Sequence, residues 1–267
     1  MSPRLDAELV RRGLARSRAQ AAQLVKDGSV RLGGVTVLRV STPVPDDAVL
    51  EVVAAADPWV GRAAYKLLGA LETFGPQGLA VAGQRALDVG ASTGGFTQVL
   101  LSQGAAQVTA LDVGHGQLVE QVAGDPRVIE RSGTNIRHCT AEDLGGPFDL
   151  VVADLSFISL RLVLPVLATL IEPSGDLVLL IKPQFEVGRE RLGKGGVVRV
   201  DADRLAALRG VLDAATDVGL GLRGLVASPI RGTTGNREYL GWFTSRAHDR
   251  AEAADLERLV AAMESPS

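Results

Sequence analysis

Residues 87–98 read L-D-V-G-A-S-T-G-G-F-T-Q. An apolar run from Arg85 leads into them, and Phe96, Val99, Leu100 and Leu101 follow at helical spacing. Between strand and helix, Gly90, Gly94 and Gly95 let the backbone turn sharply and approach a ligand with no Cβ in the way. Strand, glycine turn and helix form the mouth of a nucleotide pocket in an open α/β sheet. The spacing excludes two other versions of that mouth. A dinucleotide fingerprint needs G-x-G-x-x-G, but here the first gap spans three residues, and the G-x-x-x-x-G-K-[ST] of a phosphate loop is missing. Asp88, before the turn, suits a ligand carrying a cationic amine. Asp112 ends a second apolar strand, where an acid would hold ribose hydroxyls.

Outward from this turn the chain keeps an α/β rhythm. Strands are predicted over residues 85–89, 108–112, 128–130, 148–154, 176–182, 222–227 and 238–243, and helices over 61–74, 160–171 and 205–218. Apolar strands between helices imply a Rossmann-like, seven-stranded, mostly parallel sheet covered on both faces. A tail from His248 carries Leu256, Leu259, Val260 and Met263 at helical spacing and reads as a packing helix.

The N-terminus has a different character. Net charge is −3 overall, yet residues 1–40 hold eight Lys/Arg against three Asp/Glu. Leu5, Leu9, Val10, Ala19, Ala22, Leu24 and Val25 mark the apolar faces of two helices, broken at Gly13, capped at Ser17 and ended at Gly28. A tight hairpin turns at Gly33-Gly34. Arg4, Arg11, Arg12, Arg16 and Arg18 then face outward, as phosphate contacts require. Residues 41–58, rich in Pro and Asp, read as the end of this module and a linker. The expected division is 1–56, a linker at 57–62, and 63–267.

Composition sets further bounds. One cysteine, Cys139, rules out an internal disulfide; no disulfide-linked partner is expected, and three scattered histidines suggest no metal site. The apolar run 162–167 is far short of a membrane span. With no apolar segment in the opening M-S-P-R-L-D, a cytoplasmic setting and no membrane partner are expected.

Four polar residues stand at the ends of elements, where apolar ones would pack better: Lys66, Asp154, Lys182 and Glu238. Strand carboxyl ends form the ligand crevice of such a sheet, so Asp154 and Lys182 should face the glycine turn. Lysine is scarce, four against 24 arginines, and two of the four stand here. After Lys182, residues 183–199 hold four glycines and the basic Arg189, Arg191, Lys194 and Arg199. They read as a mobile, basic loop that orders on binding an anionic partner.

Three resemblances follow from these patterns. The D-x-G-x-x-x-G-G turn resembles motif I of S-adenosylmethionine (SAM)-dependent methyltransferases. It implies SAM held by Asp88, Gly90, Ser92, Thr93, Gly94, Gly95 and Phe96, by Asp112 and Val113, by Asn135 and Ile136 around adenine, and by Asp154. R-L-D-x-x-L-V-R-R-G-L-A-R-S-R, running on to the Gly33-Gly34 turn, resembles the S4 RNA-binding domain. Lys66, Asp154, Lys182 and Glu238, within R-A-A-Y-K-L, A-D-L-S-F, L-L-I-K-P-Q-F-E and G-N-R-E-Y-L, resemble the K-D-K-E tetrad of the FtsJ/RrmJ-like ribose 2′-O-methyltransferases.

With the S4 domain and G-K-G-G-V-V-R at residues 193–199, the whole is similar to the TlyA subgroup. That subgroup methylates cytidine riboses of ribosomal RNA in both subunits and has also been called hemolysin. Ala63-Ala64 depart from the glycines of many TlyA members. The resemblance implies ribosomal RNA or subunits as partner, contacts from Arg62, Arg189, Lys194 and Arg199, no metal, and Lys182 as the group nearest the 2′-hydroxyl. Three readings stand beside it: a non-catalytic RNA-binding or assembly factor, a hemolysin, and a methyltransferase for a protein or small molecule.

Overall fold

Leu5 and Leu9, one turn apart, lie fully buried on α1 (Leu5–Arg11), facing Ala21 and Val25 of α2 (Arg18–Lys26). The helices stop where the sequence predicts, at Gly13 (φ +72°) and Gly28 (φ +70°), because a left-handed residue closes a helix without Cβ strain. Ser17 Oγ accepts the Gln20 N–H at 3.2 Å and caps α2. Strands β1 (Val30–Leu32) and β2 (Val35–Thr36) form the expected hairpin about Gly33-Gly34, both at positive φ. A third strand, β3 (Leu50–Val52), pairs antiparallel with the other side of β1, within the stretch 41–58 read as the end of this module and a linker, where no strand is expected. Three residues are too few for a legible period, but Leu50 completes a core with Val30 and Val44.

This first unit spans Met1–Pro58; the second is Trp59–Ser267. A computed structural model describes residues 3–26, 28–53, 57–246, 251 and 253–263, with the backbone alone for Arg189 and residues 253–256. The expected roles of His248 and of the Leu256 and Arg189 side chains lie outside the described residues.

The second unit runs α3 (Ala64–Phe74), β4 (Arg85–Val89), α4 (Gly95–Ser102), β5 (Gln107–Asp112), α5 (Glu120–Ala123), β6 (Val128–Ser132), α6 (Ala141–Leu144) and β7 (Phe148–Ala153). It continues through α7 (Leu164–Thr169), β8 (Ile171–Ile181), α8 (Asp201–Asp217), β9 (Gly221–Ala227), β10 (Tyr239–Thr244) and α9 (Ala253–Ala262). The seven-stranded sheet has the order β6-β5-β4-β7-β8-β10-β9, parallel except where β10 meets β8 and β9. Successive side chains of a strand point to opposite faces, and both faces are covered. Val151, Ala153, Leu177 and Leu179 pack with Leu208 and Val211 of α8, whereas Leu150, Val152, Val178 and Leu180 pack with Leu67 of α3 and Leu100 of α4. Each fully buried leucine contributes about 1.5–3 kcal/mol, so the sheet is a rigid platform.

Several boundaries differ from the sequence reading; α3, for example, starts at Ala64 rather than 61. The helix expected over 160–171 is a short 3-10 turn, Leu160–Leu162, then α7, which begins at Pro165's preferred first-turn position. Ile171 opens β8 instead, pairing with Phe148. Helix α8 starts at Asp201 rather than 205, with Asp201 and Asp203 placed on its positive N-terminal end.

Candidate active site

The strand order reverses at β4, whose neighbours are β5 and β7, and a crevice opens beyond their carboxyl ends. There Gly90 (φ +86°) passes so near the end of β7 that a Cβ would lie 2.8 Å from the Asp154 carbonyl oxygen. Gly94 (φ +98°) starts α4. Asp112, at the end of β5, accepts the Ser92 N–H through Oδ2 and the Gly114 N–H through Oδ1, each at 2.8 Å, and so pins the glycine turn. Among the described residues, Ser92 (φ +48°) and Phe157 (φ +64°) alone of the non-glycines take positive φ. Both line this crevice, where strained backbone concentrates.

The crevice has two chambers sharing Gly90, Ser92, Asp154 and Ser156. One, of about 270 Å³, lies between the turn and α3 and is bounded by Thr93, Gly95, Phe96, Lys66, Lys182 and Arg62. The other, of about 360 Å³, is bounded by Asp112, Val113, Ile136, Leu155 and Phe157.

Lys66, Asp154, Lys182 and Glu238 converge from four elements into one buried ionic chain. Lys182 Nζ lies 2.6 Å from Asp154 Oδ1, and Lys66 Nζ lies 3.2 Å from Asp154 Oδ2 and 2.8 Å from Glu238 Oε2. Their side chains are 2–12% exposed. Such burial is tolerable because the signs alternate, two ammonium groups against two carboxylates. Lys182 also donates to Ser156 Oγ at 2.8 Å, and Gln184 Nε2 donates to Glu238 Oε1 at 3.3 Å. Glu238 touches Lys66 without lining either chamber, whereas Lys182, Asp154 and Lys66 face the first.

Three expected ligand contacts are placed differently, the first being Gly94, which starts α4 without lining either chamber. Asp88 is fully buried beneath the turn and accepts the Thr97 hydroxyl at 2.6 Å, lining neither chamber. Burial pushes its carboxyl up to about 7, reinforced by the nearby Asp154 and Asp112 charges and opposed by the Thr97 hydrogen bond. Asn135 spends its side chain capping the turn Ile136–His138, accepting the Arg137 N–H at 3.1 Å. Its neighbour Ile136 faces the second chamber instead.

The basic residues also sort by geometry. Arg16 and Arg18 are exposed, Arg4 pairs with Asp6, and Arg11 pairs with the buried Glu8. Arg12 turns inward, against the outward expectation, bonding Glu8 Oε1 at 2.6 Å and the Ala48 carbonyl at 2.7 Å. Hydrogen bonds from Arg11 and Arg12 hold Glu8 down to about 2. In the second unit, Arg62 reaches the Arg231 carbonyl at the chamber rim, and Lys194 and Arg199 are exposed. The loop carrying them, expected to be mobile, is fastened: Asn236, 1% exposed, accepts the Val198 N–H and donates to the Gly196 carbonyl, both at 2.9 Å.

Comparison with known proteins bears on this geometry. The FtsJ-like methyltransferase family model matches residues 59–245, and the S4 domain model matches 3–50. The 16S/23S rRNA (cytidine-2′-O)-methyltransferase TlyA of Mycobacterium tuberculosis is 50% identical over 258 residues, 96% of this chain and 95% of its own. This chain belongs to the TlyA family of FtsJ-like methyltransferases. Hemolysin A of Brachyspira hyodysenteriae is 37% identical over 90% of this chain and 99% of its own. A crystal structure of a hemolysin-named protein from Lactococcus lactis superposes with a TM-score of 0.72 at 37% identity, over 78% of this chain and 99% of that one.

Within this TlyA-family site, sequence reasoning passed over Ser156, Phe157 and Gln184. All three lie in the strings A-D-L-S-F and K-P-Q-F-E, within three residues of Asp154 or Lys182. Phe157 is 92% exposed with its ring centroid 5.4 Å from that of Phe185. Among the described residues, no helix is long and apolar enough to cross a membrane, and no group of three or more His, Cys, Asp or Glu is suited to a metal.

Proposed function

We propose that this chain methylates the 2′-hydroxyl of cytidine ribose in ribosomal RNA, in the cytoplasm, using SAM. The observation that carries the reading is the buried Lys182–Asp154–Lys66–Glu238 chain opening onto a chamber beside the glycine turn. The chamber suits SAM because its wall is backbone: a Cβ at Gly61 would lie 2.8 Å from Thr93 Oγ1, and one at Gly90 would strike Asp154. Ser92, Thr93, Gly95, Phe96 and Asp154 would hold the amino-acid end, Asp112 the ribose hydroxyls, and Val113 and Ile136 the adenine. Asp88 and Gly94 act on the shape of the turn. When bound, SAM supplies a methyl group on a cationic sulfonium and departs as a neutral thioether.

The chain's own residues handle the acceptor. Lys182 and Ser156 face the place where the 2′-hydroxyl must lie. Lys182, in its neutral form, takes the hydroxyl proton, and Asp154, 2.6 Å away, steadies the ammonium so formed. Lys66, held between Asp154 and Glu238, keeps that carboxylate turned toward Lys182. Phe157 offers an unstacked base a ring to stack on. The 1–58 unit is the RNA-binding module, with Arg16 and Arg18 foremost; Arg62 meets RNA at the chamber rim, and Lys194 and Arg199 meet it from their exposed loop.

The test is transfer of labelled methyl from SAM to unmodified bacterial ribosomal subunits, mapped by alkaline cleavage, which needs a free 2′-hydroxyl. A gap in the ladder with the parent protein and none with Lys182→Ala is the expected result. Incorporation without a gap moves the target to a base or a protein. No incorporation, with SAM bound, favours an assembly factor. Lysis of cells by purified protein that persists in Lys182→Ala would establish a separate membrane activity.

A further inference from the structure

Glu186 ends the K-P-Q-F-E string and is buried, its side chain 2% exposed, outside the ionic chain just described. Its carboxylate makes three contacts, all with one segment. Oε2 accepts the Ser159 hydroxyl at 2.5 Å and the Arg161 Nε–H at 3.3 Å, and Oε1 accepts the Leu160 backbone N–H at 2.7 Å. Arg161 returns a hydrogen bond from Nη2 to the Glu186 carbonyl at 3.0 Å. The grip falls at the N-terminal end of the turn Leu160–Leu162, which Ser159 itself caps by accepting the Arg161 N–H.

The gripped segment matters because of what precedes it. Residues 154–158 leave β7 carrying Asp154, Ser156 and Phe157, and they include the positive φ of Phe157. A short loop with a strained residue holds its shape only if both ends are fixed. β7 fixes one end, and Glu186 fixes the other. Glu186 is also tied to the catalytic strand, four residues after Lys182 through the 3-10 turn Pro183–Phe185. Lys182 and Glu186 therefore grip the same loop from the same turn, Lys182 at Ser156 and Glu186 at Ser159–Arg161.

We propose that Glu186 is a positioning residue for methyl transfer: by clamping residues 159–161 it sets where Ser156 stands, and through Ser156 where the Lys182 amine points. The inference rests on the methyltransferase reading above. A misplacement of about 1 Å in such an array costs up to about 100-fold in rate.

The experiment is single-turnover methyl transfer to ribosomal subunits with the full chain, alongside SAM affinity by calorimetry, for Glu186→Gln, Ser156→Ala and the double variant. Activity of the parent protein establishes the underlying reading first, so a failure below concerns Glu186 alone. Glu186→Gln is expected to slow transfer about ten- to 100-fold, with SAM affinity within about two-fold of the parent. Added to Ser156→Ala it should cost little more, because both act through one path. Multiplying effects in the double variant, or a parental rate in Glu186→Gln, overturns the proposal. Where Glu186→Gln does not fold, Ser159→Ala removes one donor and leaves the carboxylate in place. It should slow transfer several-fold and again add little to Ser156→Ala; a parental rate overturns the proposal equally.

Discussion

At the scale of single residues, chemistry follows from which charges share a pocket. Lys182→Arg should be as inactive as Lys182→Ala, with SAM still bound by calorimetry, because a guanidinium cannot give up a proton at neutral pH. A variant keeping more than about a tenth of the parental rate would remove Lys182 from proton transfer. Asp88 makes a prediction of a different kind. Burial raises its carboxyl from 3.8 to about 7. Below about pH 4 folded and unfolded chains both carry the proton, and this stabilising difference is fully present. Between about pH 4 and 7 only the unfolded chain loses it, so stability falls as pH rises. Asp88→Asn, neutral throughout, should flatten Tm against pH over that window and melt a few degrees above the parent at pH 8. A parental slope in the variant would refute the raised carboxyl. Asp88 also marks a limit of reading sequence. Its place at the end of a strand is legible, but whether its side chain meets ligand or core depends on how Thr97, nine residues on in α4, turns.

At the scale of elements, the sheet was legible because its strands are apolar on both faces, and apolar runs between glycine turns need no tertiary knowledge. Strand β3 was hidden by its length, and the early start of β8 by a pairing that only Phe148 across the sheet supplies. In the loop 183–199, read as mobile, the anchoring of residues 196–198 was not legible for a related reason. The loop's glycines speak for freedom, and the fastening comes from Asn236, some forty residues away. Asn236→Ala strands the Val198 N–H, at a cost of about 1–3 kcal/mol. Hydrogen exchange across 193–199 should quicken in that variant, and unchanged protection would contradict the fastening. The glycine turn is stricter. Gly90→Ala meets both a left-handed φ and the Asp154 carbonyl, and should weaken SAM binding at least ten-fold in a folded protein. Parental affinity would mean that the turn does not form the SAM wall.

At the scale of the whole molecule, the two units divide the labour, although the 1–58 unit as a whole holds eight Lys/Arg against seven Asp/Glu. The first 40 residues carry the basic excess and the remainder an acidic one. Protein lacking residues 1–58 should bind SAM as the parent does yet lose most of its affinity for ribosomal RNA. Its log–log dependence of RNA binding on salt should also become shallower, since fewer phosphates are neutralised. An equal slope would place the RNA contacts elsewhere. The sequence recorded this asymmetry but not its detail. Arg12, one of five arginines expected to face out, is spent holding the Pro45–Ala48 turn to α1, so fewer arginines remain for RNA than the composition suggests.

The balance of signs in the buried tetrad constrains descent as well as catalysis. With two ammonium groups and two carboxylates in alternation, a lineage that alters any one of them inherits an odd charge in a largely buried site, a burden of up to roughly 3–5 kcal/mol. Neighbours can be discarded together at far smaller cost. A descendant that abandons the chemistry but keeps the fold should therefore lose these residues in oppositely charged pairs, Lys66 with Glu238 or Lys182 with Asp154, and seldom one at a time.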